Sequence, residues 1–172
     1  MANTKIPTQV IDFSVYNGEN KLMGAGAEIT LPTITSKTYT ADLPAGEIDL
    51  PGMRTENMEI EIPFNVFDKE AASILSVANA TTIVLRGCLQ SSETNSHDLS
   101  YSGVKVTIKG FTKEVSIGTL KRSDGMDSKV KLTVSYIKVE DGNNNIFIEV
   151  DKFNGTYTVN GEDVREGISN YL

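Results

Sequence analysis

Three stretches of the chain alternate apolar and polar residues with period two, the pattern of strands that bury one face. KVKLTVSY (129–136) sets Val130, Leu132, Val134 and Tyr136 on one side and Lys129, Lys131, Thr133 and Ser135 on the other. VKVTIKG (104–110) puts Lys105, Thr107 and Lys109 on its polar side, and MEIEIPF (58–64) puts Glu59 and Glu61 there. TTIVLRGCL (81–89) is a strand-like run with Ile83, Val84, Leu85, Cys88 and Leu89, and predicts a buried strand. Strands at about 101–112 and 128–139 predict a long hairpin whose far end, SIGTLKRSDGMDS, is a glycine-containing excursion. Asn17-Gly18, Asn154-Gly155 and Asn160-Gly161 are hairpin signals. The first leads into a long strand with Ile29 and Leu31 inward, Glu28 and Thr30 outward, and Pro32 at an irregular or edge position. QSSETNSHDLSYSG predicts a polar, mobile loop, and DGNNN (141–145) a turn.

Two segments break this pattern. After Asp68, a good N-cap, Ala71, Ile74, Leu75 and Ala78 recur at helical spacing, predicting a helix over 69–79 with one apolar stripe on a sheet. Residues 35–57, an arm of TSKTYTADLPAGEIDLPGMRTEN, hold two prolines and two glycines and keep no clear period. Leu43, Ile48, Leu50 and Met53 make the arm too apolar for a solvated loop. It is either an Ω-like flap folded on its own domain or an arm that packs on a neighbouring subunit. A short amphipathic segment with Val164 and Ile168 on one side closes the chain. The fold class is mostly β, a sandwich or barrel subunit with one packed α-helix, over one domain of residues 1–172.

Composition narrows the function. Hydrophobic residues make 39% of the 172; with glycine counted and tyrosine left out the share is about 44%, at the low edge of the ~45–50% of globular domains. The core is thin, so burial against partner subunits would help. A net charge of −7 argues against gripping nucleic acid through its phosphates, though not against letting DNA slide past. Lone Cys88 excludes an internal disulfide, fits a reducing compartment and reads as a small core residue in its strand. No signal sequence or apolar run of membrane-spanning length is visible, so synthesis in the cytoplasm is expected.

Chemistry is hard to find. The single histidine, His97, sits in the serine-rich loop with nothing to lock or orient it as a base. No Cys/His cluster, calcium loop, phosphate loop or dinucleotide fingerprint is present; GAGAEI (24–29) lacks the third glycine. No catalytic, metal or cofactor site is expected.

The order of the motifs carries more than any one of them. FSVYNGENKLMGAGAEITLPTIT, the arm, MEIEIPF, VLRGCLQ, VKVTIKGFTKEVSIGTLK, KVKLTVSYIKVEDG and IFIEVDKFNGTYTVNGEDVRE, in that order over roughly residues 11–168, resemble the major tail tube proteins of contractile-tailed bacteriophages, the FII type. The arm, TADLPAGEIDLPG, has fewer glycines than is usual there. The same architecture serves R-type bacteriocins and related contractile injection systems.

The resemblance implies a hexameric ring, stacked into a tube inside a contractile sheath. Each subunit would give four long strands in two hairpins, 26–38 with 55–66 and 101–112 with 128–139, to a continuous inner β-barrel, with the helix and the 81–89 strand outside. The polar faces then line a lumen, where Glu28, Glu59 and Glu61 offset Lys105, Lys109, Lys129 and Lys131 across neighbouring strands. Such a wall has no net basic track to hold DNA. About 24 strands tilted by ~40° give a barrel about 48 Å across and a clear width of roughly 35–40 Å. Implied partners are copies of itself, sheath, baseplate and tail terminator proteins, and a tape-measure protein or DNA in the lumen. Stable nucleic-acid binding and membrane insertion are not expected. Rival readings are a type VI secretion-like tube, a ligand-binding β-sandwich and a hydrolase on a β scaffold. The sandwich calls for exposed aromatics on one face, whereas the chain has no Trp and its Phe and Tyr fall mostly at inward strand positions.

Overall fold

The structure, a computed structural model, describes residues 4–172. In chain order its elements are β1 (Lys5–Asn17), β2 (Asn20–Lys21), β3 (Ser36–Leu43), β4 (Gly46–Thr55), β5 (Met58–Phe64), α1 (Lys69–Ser73), β6 (Thr81–Glu93), β7 (Leu99–Ser116), β8 (Ser128–Asp141), β9 (Ile146–Asp151), β10 (Thr156–Val159), β11 (Glu162–Asp163) and α2 (Glu166–Ser169). One antiparallel sheet runs β11-β10-β9-β8-β7-β6-β1-β2 and does not close on itself; β3 and β4 form a separate two-stranded hairpin. β5 pairs with the first half of β8, Met58 opposite Val134 through Phe64 opposite Ser128, while β9 takes the second half of the same edge.

The period-two reading holds where it was strongest. Met58, Ile60, Ile62 and Phe64 of β5, Ile83 and Leu85 of β6, Val106 and Ile108 of β7, and Val130, Leu132 and Val134 of β8 are buried in one cluster, which Ala71 of α1 and Ile74, its C-cap, join. Two bulges interrupt the β7–β8 ladder. Lys109 faces Tyr136 but Gly110 faces Val134, so Ser135 is extra; Thr112 faces Leu132 but Glu114 faces Lys131, so Lys113 is extra. After Ser135 the core-facing positions shift from even to odd, and Ile137 rather than Tyr136 is in the core. The predicted inward Tyr136 therefore lies on the polar face. A Cβ at Gly110 would stand 2.4 Å from the Thr133 carbonyl oxygen, so only glycine fits this bulge.

Several expectations need correction. The helix over 69–79 is one of five residues. Asp68 caps it, accepting from the amides of Glu70 and Ala71 at 2.9 and 3.1 Å. It stops because the chain beyond is tied elsewhere: the Ser76 amide donates to the Thr112 hydroxyl and the Ser76 carbonyl accepts from the Thr112 amide, both at 2.8 Å. Ala78 is exposed as a result. The polar loop after β6 shrinks to a tight turn, because β6 and β7 continue as strands to Glu93 and from Leu99. Residues 26–35 form no strand. Gly26 donates to the Pro63 carbonyl at 2.7 Å, and Thr35 accepts from Glu56 at 2.7 Å. Between these ties Pro32 and Pro63 offer no N–H to a ladder. Ile29 stays half-buried and Leu31 is exposed.

Cys88 is half-buried, not a core residue. The aromatics are also less inward than expected. Tyr39, Tyr101, Phe147, Phe153 and Tyr171 are exposed, but on separate elements rather than on one platform. The turn signals hold: Asn160 and Gly161 both take positive φ, as a two-residue hairpin turn of this kind requires, and Asp141 caps its own turn through the Asn143 and Asn145 amides.

Candidate functional site

The two bulges keep the polar side chains of β7 and β8 on a common face along the whole hairpin. In register across it stand Lys105 with Glu140, Thr107 with Lys138, Lys109 with Tyr136, Glu114 with Lys131 and Ser116 with Lys129. β5 extends the face with Glu59 beside Thr133 and Glu61 beside Lys131. No lysine of the hairpin stands directly opposite another, and several are paired with carboxylates inside one chain. Lys129 Nζ lies 3.0 Å from Glu61 Oε1, Lys113 pairs with Glu59, and Lys105 Nζ is 2.7 Å from Glu140 Oε1. Lys138 reaches the other Glu140 oxygen at 3.1 Å. Lys109 stacks over the Tyr136 ring at 5.2 Å from its centroid, and the Tyr136 hydroxyl donates to Glu149 at 2.8 Å.

These contacts set the protonation states. The hydrogen bond from Lys113 holds the Glu59 carboxyl below the usual range, and the hydrogen bonds from Lys105 and then Lys138 do the same for the nearly covered Glu140. Burial, then the bond to Glu149, raises the Tyr136 phenol. The face thus stays charged in both signs near neutral pH.

The predicted wall residues divide. Glu59, Glu61, Lys129 and Lys131 come together on β5 and β8; Lys105 and Lys109 share that face further along, where β6 and β9 flank the hairpin. Glu28 does not join them. It lines a separate apolar groove with Val10, Phe13, Ile29 and Leu31, because its segment is not paired to β5. Lys113, Glu114, Lys138 and Glu140 belong to the face but were missed. The bulge at Lys113 and the phase change after Ser135 hide them from a strict period-two reading; only the register reveals them.

Two strand edges next to this face are open among the described residues. β7 beyond Gly110 has β8 on one side, and on the other only the Thr112 tie to Ser76. β5 has β8 on one side; on the other it is tied to residues 24–26 near Phe64, and Thr30, Leu31, Thr33 and Thr35 stand across a cleft from Glu59 and Glu61 without pairing to them. Open edges of this kind invite pairing with another chain.

The arm is a hairpin, not a flap folded onto the sheet. Pro44 and Ala45 make its two-residue turn, with Gly46 at φ 131°. Register sets Leu43, Ile48 and Leu50 on one face with Tyr39 and Ala41, and all three are exposed, at 47%, 46% and 44%. Met53 is separated from them: a register shift near Ser36 sends it to a cleft at the base of the hairpin. A lone two-stranded hairpin with an uncovered apolar face is at best marginal in water.

His97 is exposed at the β6–β7 turn, and among the described residues no group of His, Cys, Asp and Glu is arranged to hold a metal. No helix among them is long and apolar enough to cross a membrane.

A one-sided sheet with a charged outer face, open edges and an uncovered apolar hairpin defines a structural β subunit built for assembly. The chain belongs to the phage tail tube protein FII family, whose pattern it matches over residues 7–172. Its fold is shared with solved chains of an extracellular contractile injection system, PVC. One, from the sheath/tube terminator in the extended state, aligns with a TM-score of 0.53 at 17% identity over 78% of this chain and 97% of that one. Another, from the sheath-tube complex in the extended state, gives 0.52 at 12% identity over 78% and 91%. Among proteins of curated function, none matches. The chain is a structural component of a contractile tail or related particle.

Proposed function

We propose that six copies close into a ring whose inner barrel is walled by β5, β8 and the far part of β7, and that rings stack into the tube of a phage tail or a headless R-type bacteriocin. The open edges of β5 and β7 carry this reading, since neighbouring copies can complete the ladder there. Glu59, Glu61, Lys113, Glu114, Lys129 and Lys131 line the lumen, with Lys105 and Lys109 toward its rim. Because Lys105, Lys113 and Lys129 are paired with carboxylates of the same chain, and Lys131 stands in register with Glu61 and Glu114, this wall passes DNA or a tape-measure protein without holding it. Leu43, Ile48 and Leu50 of the arm bury against a neighbouring copy. Sheath protein surrounds the tube, and baseplate and terminator proteins close its ends. The protein has no catalytic role.

Sedimentation and electron microscopy of the purified protein at rising concentration test this. Rings or tubes are expected, and a strictly monomeric species at high concentration would falsify the reading. On such tubes a bulky amine-reactive label is expected to miss Lys129 and Lys131, which it modifies in dissociated subunits. Equal labelling in both states moves these lysines off the lumen wall even if tubes form.

A further inference from the structure

Four cations gather where the arm meets the sheet. Arg54, Lys152 and Arg165 line a cleft of about 390 Å³ between the end of β4 and the β9–β10 turn, and Lys37 stands beside Lys152. Two of them bond to neutral carbonyls: Lys152 Nζ donates to the Glu56 backbone oxygen at 2.5 Å, and Arg165 Nη1 to the Gly155 oxygen at 2.6 Å. Among the described residues none of the four has a carboxylate at ion-pair distance. Asp151 also lines the cleft, but its carboxylate is engaged by the Phe153 and Asn154 amides and the Asn154 side chain. Burial, then the charge of Lys37, lowers the Lys152 ammonium below the ordinary lysine value. In a chain of net charge −7, this cleft sets three lining cations against the single carboxylate of Asp151 and keeps an excess of positive charge.

The complementary charge is at the other end of the arm. Asp42 and Glu47 stand directly opposite in the β3–β4 register, and Asp49 lies next along the same face, its carboxylate accepting from the Thr40 hydroxyl at 2.6 Å. Opposed like charges on a ladder are unfavourable, and no lysine or arginine relieves them. A chain cannot match its own two clusters. Five residues separate Lys37 from Asp42 and Asp49 from Arg54, roughly 17 Å along an extended strand and beyond the ~8 Å screening length at physiological salt.

We infer that the cationic cleft at the base of the arm receives the acidic tip of the arm of a second copy. Each copy then offers one tip and fills one cleft, a head-to-tail contact that repeats without limit, as a stacked assembly requires. The acidic face of the arm makes this contact while its apolar face covers a different surface. The inference rests on the proposed stacking and adds where the arm lands.

The test uses the wild-type protein, polymerised from equal parts of isotopically heavy and light chains. A carbodiimide, which joins lysine to carboxylate with no spacer, is expected to link Lys37 or Lys152 of one copy to Asp42, Glu47 or Asp49 of another, read as heavy–light peptide pairs. Charge reversal is the second arm. Asp42→Lys with Asp49→Lys, or Arg54→Glu with Lys152→Glu, each raises the concentration needed for assembly by about ten-fold or more. The chain carrying all four recovers assembly, with circular dichroism confirming that each variant folds. Tubes that give no such links, or one-sided reversals that assemble like wild type, overturn the inference and leave the tube standing. Wild-type protein that assembles under no condition takes down both.

Discussion

Glu140 shows how much a single residue on the charged face contributes. Its side chain is almost fully covered, yet it stays ionised because Lys105 and Lys138 each bring a cation to one of its oxygens. A carboxyl whose pKa is lower in the folded chain stabilises the fold above its unfolded value, and that contribution disappears as pH falls through the folded value. For Glu140 the loss begins near its ordinary 4.5 and runs downward. Asp141 and Asp151, held low chiefly by Asn145 and by the Asn154 amide, add to the same slope. Urea melts at pH 7 and below pH 4 should show wild type losing stability in acid. Glu140→Gln should lower stability at pH 7 by about 1–3 kcal/mol, discounted because both lysines keep contact with water, and should flatten the acid slope. An unchanged slope in the variant would assign the acid sensitivity to the other lowered carboxyls, Glu59, Asp127, Asp141 and Asp151.

At the scale of elements, α1 and the arm behave oppositely. α1 is short, but Ala71 and Ile74 are fully buried, so its cap matters to the whole core. Asp68→Ala frees the Glu70 and Ala71 amides and should cost about 1 kcal/mol, read as a lower unfolding midpoint with unchanged denaturant slope. The arm contributes little to the isolated fold, since its apolar face is exposed. Ile48→Ser with Leu50→Ser should shift monomer stability by no more than about 0.5 kcal/mol and leave the β-rich circular dichroism intact. The same pair should abolish tubes in the electron microscope. Loss of the fold in that variant would mean that the arm belongs to the core of its own chain.

For the whole molecule, the balance of charge on the proposed lumen wall is the property to perturb. Glu59→Lys with Glu61→Lys removes the partners of Lys113 and Lys129 and places like charges next to Lys131. Each opposed pair costs only ~0.2–1 kcal/mol, but a ring repeats it in every copy. Assembly should weaken at low ionic strength and recover partly with salt, which screens exposed charges. A wall made basic in this way should also retain DNA in a sedimentation assay in which the wild-type protein is expected to retain none. Normal assembly at low salt with no retained DNA would place these glutamates away from the lumen.

The sequence by itself determined the strands β5 to β8, the Asn-Gly turns, the Asp68 cap and the one-sided core, because each depends on residues adjacent in the chain. Val130, Leu132 and Val134 had to share a face whatever they packed against. The ordered motifs also carried the family. Only the tertiary structure decided which strand meets which. β5 went to the edge of β8, not to residues 26–35, since Pro32 and Pro63 withhold the donors such a ladder needs. The helix lost its last turns to a competing contact with Thr112, invisible in the local pattern because that residue is 36 positions from Ser76. The bulges at Lys113 and Ser135 turned period-two arithmetic into a face that local reading misassigns, bringing in Glu140 and Lys138 and leaving out Glu28. The charge pairs follow the same rule: Glu59 with Lys113 and Glu61 with Lys129 are matters of register, and register is settled by the burial of a whole face at once rather than by any residue's neighbours in sequence.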